Sequence, residues 1–288
     1  MAQVVQIIGV THNPVLPGIF QDHLDAEPAI REAYDNFALM RQKLAQARPD
    51  VLVVVAGDHL NQWFMDNMPA FVVGKAPVAR GPFPHELRAH KLSAYQARVD
   101  VEVAQTLLRE GYANGVDFSY SDEFQIDHAF TMPLSFLRPE MDLPIVPVWT
   151  NVMAPPIPPA RRFYDVGQAI RGIVDALPSD QRVAIVASGH MANSVGGPGM
   201  LRIRTDPVPE FDVTMKALLT EGDAEAVIRE ASWERLLAAG NGTAGFLDFV
   251  LLLGAARGRR PSYVDLNSTR MTTASFFLTW DGAEDGTR

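Results

Sequence analysis

The sequence predicts an α/β fold: a central, mostly parallel sheet flanked by helices, with a helical elaboration toward the C-terminus. Three observations predict it. Several runs are short, apolar and β-branched throughout, as in strands buried on both faces: "VVQIIGV" (4–10), "DVLVVVAG" (50–57) and "RVAIVAS" (182–188). Segments with three- and four-residue apolar spacing lie between these runs, which is the pattern of one-sided helices. No repeat, low-complexity tract or linker interrupts the alternation, so one domain over residues 1–288 is expected.

The elements follow in order. After the first strand, Ile30, Tyr34, Phe37, Met40 and Leu44 mark a helix over 28–47, with Pro28 suited to its first turn. "AFVVG" (70–74) reads as a third strand, and Val99, Val103, Leu107 and Leu108 place a helix over about 93–110. "LPIVPVWT" (143–150) is a strand whose prolines suggest an edge position or a bulge. Residues 158–177 read as helix, and further helices are expected at about 208–220, 222–229, 231–238 and 243–255. The stretch "SYVDLNSTRMTTASFFLTW" closes the chain as loop and strand, and the Pro-rich stretches 77–84 and 154–160 read as loops.

Composition narrows the function. A net charge of −9 argues against nucleic acid or an anionic membrane as the main partner. There is no cysteine, so any metal must be held by imidazole, carboxylate or amide oxygen. The N-terminal residues lack a basic segment followed by a long apolar core, and a cytoplasmic protein is expected. Acidic chains of this size are commonly homo-oligomers, which is the default expectation here.

The histidines carry the strongest signal. Three of the seven, His12, His59 and His190, fall within three residues after a buried strand, in "IIGVTHNP", "VVVAGDH" and "AIVASGH". Open α/β sheets bind ligands just beyond strand ends, and neutral imidazole is the commonest metal ligand. The three are therefore expected to meet at one edge of the sheet as a metal or catalytic cluster. His23, His85 and His90 sit in polar contexts and read as solvated surface.

"GVTHNPVLPG" (9–18), "AGDHLNQWFMDNMPAFVVG" (56–74) and "DHAFTMPLSFL" (127–137) resemble the class III, LigB-type extradiol ring-cleavage dioxygenases, in order and over most of the chain. That family includes protocatechuate 4,5-dioxygenase β subunits and dihydroxyphenylpropionate 2,3-dioxygenases. The resemblance implies a non-haem Fe(II) held by His12 and His59, with Zn or Mn as alternatives. It makes His128 a catalytic residue that contacts a substrate hydroxyl or assists with protons. It puts Asp58 and Asp127 behind the ligands, Asp58 orienting His59, and Trp63 in the wall of an aromatic pocket. A small hydroxylated aromatic compound and O₂ are the implied partners, and a homologous partner subunit is a further implication.

Two segments depart from the family pattern. The family's third ligand is a Glu near the start of a late helix, and that position falls on Gly245 in "LAAGNGTAGFLDFV" (237–250). The family's catalytic base closes a Gly-Gly-x-Ser-His order, whereas "ASGHMANSVGG" (187–197) has Asn193 there and a His three residues earlier, His190. Three readings follow. The chain is a metal-dependent ring-opening enzyme with His190 as base or third ligand, and Asn241 or Asp248 as alternative oxygen donors. Or it is a metal-assisted hydrolase or decarboxylase using His12, His59 and His190, since three imidazoles and an open position suit water activation by Zn²⁺. Or it is the non-catalytic partner of an active chain.

Weaker features complete the sequence. Thr243 in "GNGTAG" reads as a helix N-cap, Arg161-Arg162 reads as solvated surface, and "GHMANSVGGPG" reads as a flexible loop. The run Trp63, Phe64, Met65, Met68 and Phe71 suits core packing and pocket lining equally.

Overall fold

The structure is a computed structural model that describes residues 1–18, 28–196, 203–204, 208–271 and 273–282. In chain order the elements are β1 (Gln3–Thr11), α1 (Pro28–Ala47), β2 (Val51–Gly57), β3 (Phe71–Gly74), β4 (Val78–Gly81), α2 (Pro84–His90), β5 (Tyr95–Arg98), α3 (Val101–Ala113) and β6 (Ser119–Ser121). They continue with α4 (His128–Leu137), β7 (Ile145–Thr150), α5 (Ala160–Asp175), β8 (Arg182–Gly189), β9 (Ile203–Arg204), α6 (Glu210–Glu221), α7 (Ala224–Glu230) and α8 (Trp233–Ala239). A 3-10 turn (Thr243–Phe246), α9 (Leu247–Ala255), β10 (Tyr263–Met271) and β11 (Thr273–Asp281) close the described chain.

Among the described residues the central sheet runs β6-β3-β7-β2-β8-β1-β11-β10-β9. Its middle strands β7, β2, β8 and β1 are mutually parallel, with Val53 opposite both Ile185 and Val146, and Ile7 opposite Ile185. β2 is buried along its whole length and β8 from Val183 onward, which is why both read as continuous apolar runs. Side chains on one face (Leu52, Val54, Ile8) pack with Phe37 of α1 and Phe130 of α4; those on the other (Val53, Val55, Ile7) pack with Phe163 of α5 and Phe249 of α9. The β10–β11 hairpin extends the sheet antiparallel beyond β1. No single helix among the described residues is long and apolar enough to cross a membrane.

Three expectations are corrected. The helix placed over 93–110 is β5 followed by α3. Tyr95 and Ala97 are buried while Gln96 and Arg98 are exposed, a two-residue period, and the Asp100 carboxylate accepts the Val103 N–H at 3.0 Å to start the helix. The stretch 77–84 is not all loop: it contains β4 and enters α2, whose first turn Pro84 opens. β7 is not an edge strand but lies between β3 and β2. The β3 ladder stops at Val148, one residue short of Pro147, so the N–H that proline lacks falls outside that ladder.

Candidate active site

Parallel strands end on the same side, and β2, β8 and β1 are neighbours. His59, His190 and His12, which follow their C-terminal ends, are therefore carried to one edge. The ring centroids of His12 lie 4.0 Å from His190, 5.1 Å from His59 and 5.6 Å from His128, and those of His59 and His128 lie 4.2 Å apart. His128 arrives differently, as the first residue of α4, whose N-cap Asp127 accepts the Ala129 N–H at 2.9 Å. One ring nitrogen from each of His12, His59 and His190 lies within 4.8 Å of the others.

The outer nitrogens of three rings are held. Ser188 donates its hydroxyl to the Ala129 carbonyl at 2.6 Å, so its oxygen accepts from His12 Nδ1–H at 3.0 Å. Asp127 Oδ2 accepts from His59 Nδ1–H at 2.9 Å and from the His59 backbone N–H at 3.1 Å. Glu86 Oε1 accepts from His128 Nδ1–H at 2.5 Å, while Glu86 Oε2 accepts the Phe83 N–H and anchors α2. In each ring the proton sits on Nδ1, leaving the Nε2 lone pair for a ligand or a proton. His12 Nε2 is buried without a hydrogen-bond partner among the described residues, as are His190 Nδ1 and Asn193 Oδ1. Each such group costs about 1–3 kcal/mol unless a ligand satisfies it. Imidazole nitrogens left bare in this way fit a divalent metal.

The electrostatics agree. Burial, followed by the neighbouring imidazoles, holds His12 and His190 well below the usual histidine pKa, so both are neutral. Burial opposes charge on His59 as well, but the carboxylates of Asp127, Asp58 and Glu86 outweigh it and raise its pKa. Burial also works against the Asp127 anion, yet His59 and His128 hold that carboxyl down to about 2. Asp58 is pushed up to about 6 by burial and then by Asp127.

Of these rings, His59, His128 and His190 open into a cavity of about 210 Å³ that is also lined by Asn13, Pro14, Val15, His90, Asn193, Val195 and Thr273. A dry cavity of about 150 Å³ holds benzene, so a single substituted ring fits.

Several expected residues have other work. Asp58 does not orient His59; its carboxylate accepts the backbone N–H groups of Asn61, Gln62 and Trp63 at 3.1 Å each and shapes the turn after β2. Asp127 holds the ring instead. Trp63 is outside the cavity wall and packs edge-on against Trp149 at 4.9 Å. Asn241 exchanges hydrogen bonds with the Val195 backbone, and Asp248 accepts from Thr150 Oγ1 at 2.7 Å, so neither belongs to the imidazole cluster. Thr243 does not cap a helix; its hydroxyl accepts the Asn193 N–H at 3.0 Å. Arg161 pairs with Glu225 at the surface. His90, expected as surface, lines the cavity 6.0 Å from His128. His23 and the end of the "GHMANSVGGPG" loop lie outside the described residues.

Residues 6–278 match the model of the catalytic LigB subunit of aromatic ring-opening dioxygenases. The chain belongs to the LigB family. Among its LigB-type relatives are the 2,3-dihydroxyphenylpropionate/2,3-dihydroxicinnamic acid 1,2-dioxygenases of Escherichia coli O139:H28, 31% identical over 220 residues, and of Photorhabdus laumondii, 29% identical over 197 residues. These matches cover 74% and 68% of this chain but only 64% and 58% of the respective relatives. The crystal structure of an uncharacterized Escherichia coli K12 protein, JW3007, superimposes with a TM-score of 0.60 at 16% identity, covering 96% of this chain and 99% of that one, and shares the fold.

Sequence reasoning missed Glu86 and Ser188. Nothing in the α2 sequence ties Glu86 to His128, 42 positions away. Ser188 carried a local signal, being two residues before His190 at the end of a strand adjacent to β1.

Proposed function

We propose that this LigB-family chain opens the ring of a catecholic or other hydroxylated aromatic compound with O₂, using a divalent metal held by His12 and His59. The observation that carries this reading is the clustering of His12, His59, His128 and His190 beside a ring-sized cavity that the last three line, with the inner nitrogens of His12, His59 and His128 freed by Ser188, Asp127 and Glu86. The names of the relatives support the substrate class. Fe(II) is the metal this chemistry calls for: when bound, it supplies Lewis acidity and the electron transfer that lets a ring react with O₂. His128 Nε2 takes a substrate hydroxyl proton, and Glu86 at His128 Nδ1 stabilises the imidazolium that forms. Asn193 Oδ1 accepts a hydrogen bond from a substrate hydroxyl, which satisfies its buried lone pairs. Pro14, Val15 and Val195 exclude water and pack against the ring.

The test is metal analysis of protein purified anaerobically, paired with O₂ uptake over a panel of catechols. Iron near one per chain with catechol-dependent O₂ uptake is expected. Zinc without O₂ uptake would point to hydrolysis or decarboxylation. Metal-free protein that co-purifies with a homologous chain would make this the partner subunit.

A further inference from the structure

We infer that His190 is the third protein ligand of the metal centre, so that three imidazoles replace the two imidazoles and one carboxylate expected from the family pattern. This rests on the metal reading above and deepens it.

Two separate observations meet at His190. Its ring lies 4.0 Å from that of His12, and its donor nitrogen shares the 4.8 Å cluster with those of His12 and His59. Its Nδ1 is buried with no hydrogen-bond partner among the described residues, unlike the Nδ1 atoms of the other three rings. Among the described residues no carboxylate joins this cluster: Asp127 belongs to a separate grouping with His59 and His128, and it is bonded to His59.

A third observation concerns Gly245. A Cβ built there would lie 3.1 Å from His190 Cδ2, 3.3 Å from the His190 N and 3.5 Å from His190 Cβ. A side chain at 245 would therefore project into the space His190 occupies. The backbones approach closely at the same place, since a Cβ on Gly189 would come 2.4 Å from the Gly245 carbonyl oxygen. The family resemblance puts a Glu at 245, so the carboxylate it implies and the imidazole at 190 would contend for one location. An imidazole in place of a carboxylate removes a negative charge from the donor set and favours the late first-row metals that prefer nitrogen donors.

The experiment uses chelator-stripped full-length chain reconstituted with Zn(II) or Co(II), with no turnover required. X-ray absorption of the Zn(II) protein should show the multiple-scattering signature of three imidazoles, and His190→Ala should show two. Losing an outer-shell partner typically costs 10–100-fold in metal affinity, so His190→Ala should weaken Co(II) binding by about 100-fold or more. The double variant His190→Ala with Gly245→Glu should recover most of that loss and replace one nitrogen scatterer by oxygen. Circular dichroism verifies the fold of each variant, and the wild-type spectrum decides the point if His190→Ala does not fold. Two imidazoles in the wild type overturns the inference, as does unchanged affinity in His190→Ala when His12→Ala abolishes binding; the metal reading then stands without it. Wild-type protein that binds neither ion overturns both.

Discussion

Asp127 grips His59 twice, accepting its ring Nδ1–H at 2.9 Å and its backbone N–H at 3.1 Å through the same oxygen. The other oxygen starts α4 by accepting the Ala129 N–H, so one buried carboxylate sets a candidate ligand and places His128 beside it. Asp127→Asn must present its NH₂ either to the His59 ring N–H or to the Ala129 N–H, a donor facing a donor in both cases. Metal affinity should fall about 10–100-fold while the protein stays folded. Competition titration against a chromophoric chelator, with circular dichroism alongside, measures both.

Glu86 reaches His128 from α2 and touches neither the cavity nor the other rings. Glu86→Gln keeps the shape but removes the charge that stabilises a protonated His128. On a catechol substrate kcat should fall about 10–100-fold, a fraction of the full worth of a general base, with KM changed by less than about threefold. A KM that rises as much as kcat falls would make Glu86 merely structural.

Asp248 is fully buried beneath the site, bonded to Thr150, and burial pushes its carboxyl from 3.8 up to about 7. The folded state therefore prefers the protonated acid. That preference stabilises fully below about pH 4 and is lost as pH climbs through 7. Asp248→Asn should be close to wild type at pH 4 and more stable by about 3–4 kcal/mol at pH 8, since each unit of pKa shift is worth about 1.4 kcal/mol. Denaturant melts of metal-free protein at both values check this, and a pH-independent difference would contradict it.

α5 and α9 cross at a pair of glycines. A Cβ on Gly167 would lie 1.9 Å from the Leu251 carbonyl oxygen, and one on Gly254 would lie 2.0 Å from that of Tyr164. Backbone cannot yield as a flexible side chain does, so Gly167→Ala and Gly254→Ala should each cost about 2–3 kcal/mol despite alanine's better helix propensity. Calorimetry should show Tm lowered by about 4–10 °C in each. A rise in Tm would mean the helices slide apart freely.

Much was legible because it was local. The β-branched runs of β1, β2 and β8 and the spacing of α1 depend on which faces neighbouring residues bury, and His12, His59 and His190 sit directly after such runs. Where local pattern misled, a two-residue period hid inside a helix-like stretch, as at Tyr95–Arg98, or a proline's place depended on a ladder's extent, as at Pro147.

The sequence by itself determined the α/β class, the strand-end histidines and the absence of cysteine ligands. Only the tertiary structure decided that β2, β8 and β1 are adjacent, which turns three distant histidines into one cluster. It also decided that Asp127 rather than Asp58 holds His59, that Glu86 backs His128, and that a side chain at Gly245 would meet His190. The reason is physical. Strand and helix patterns come from burial repeating every two or 3.6 residues along the chain, whereas hydrogen-bond partners separated by 42 or 68 positions are chosen by strand order and packing, which leave no periodic mark in the sequence.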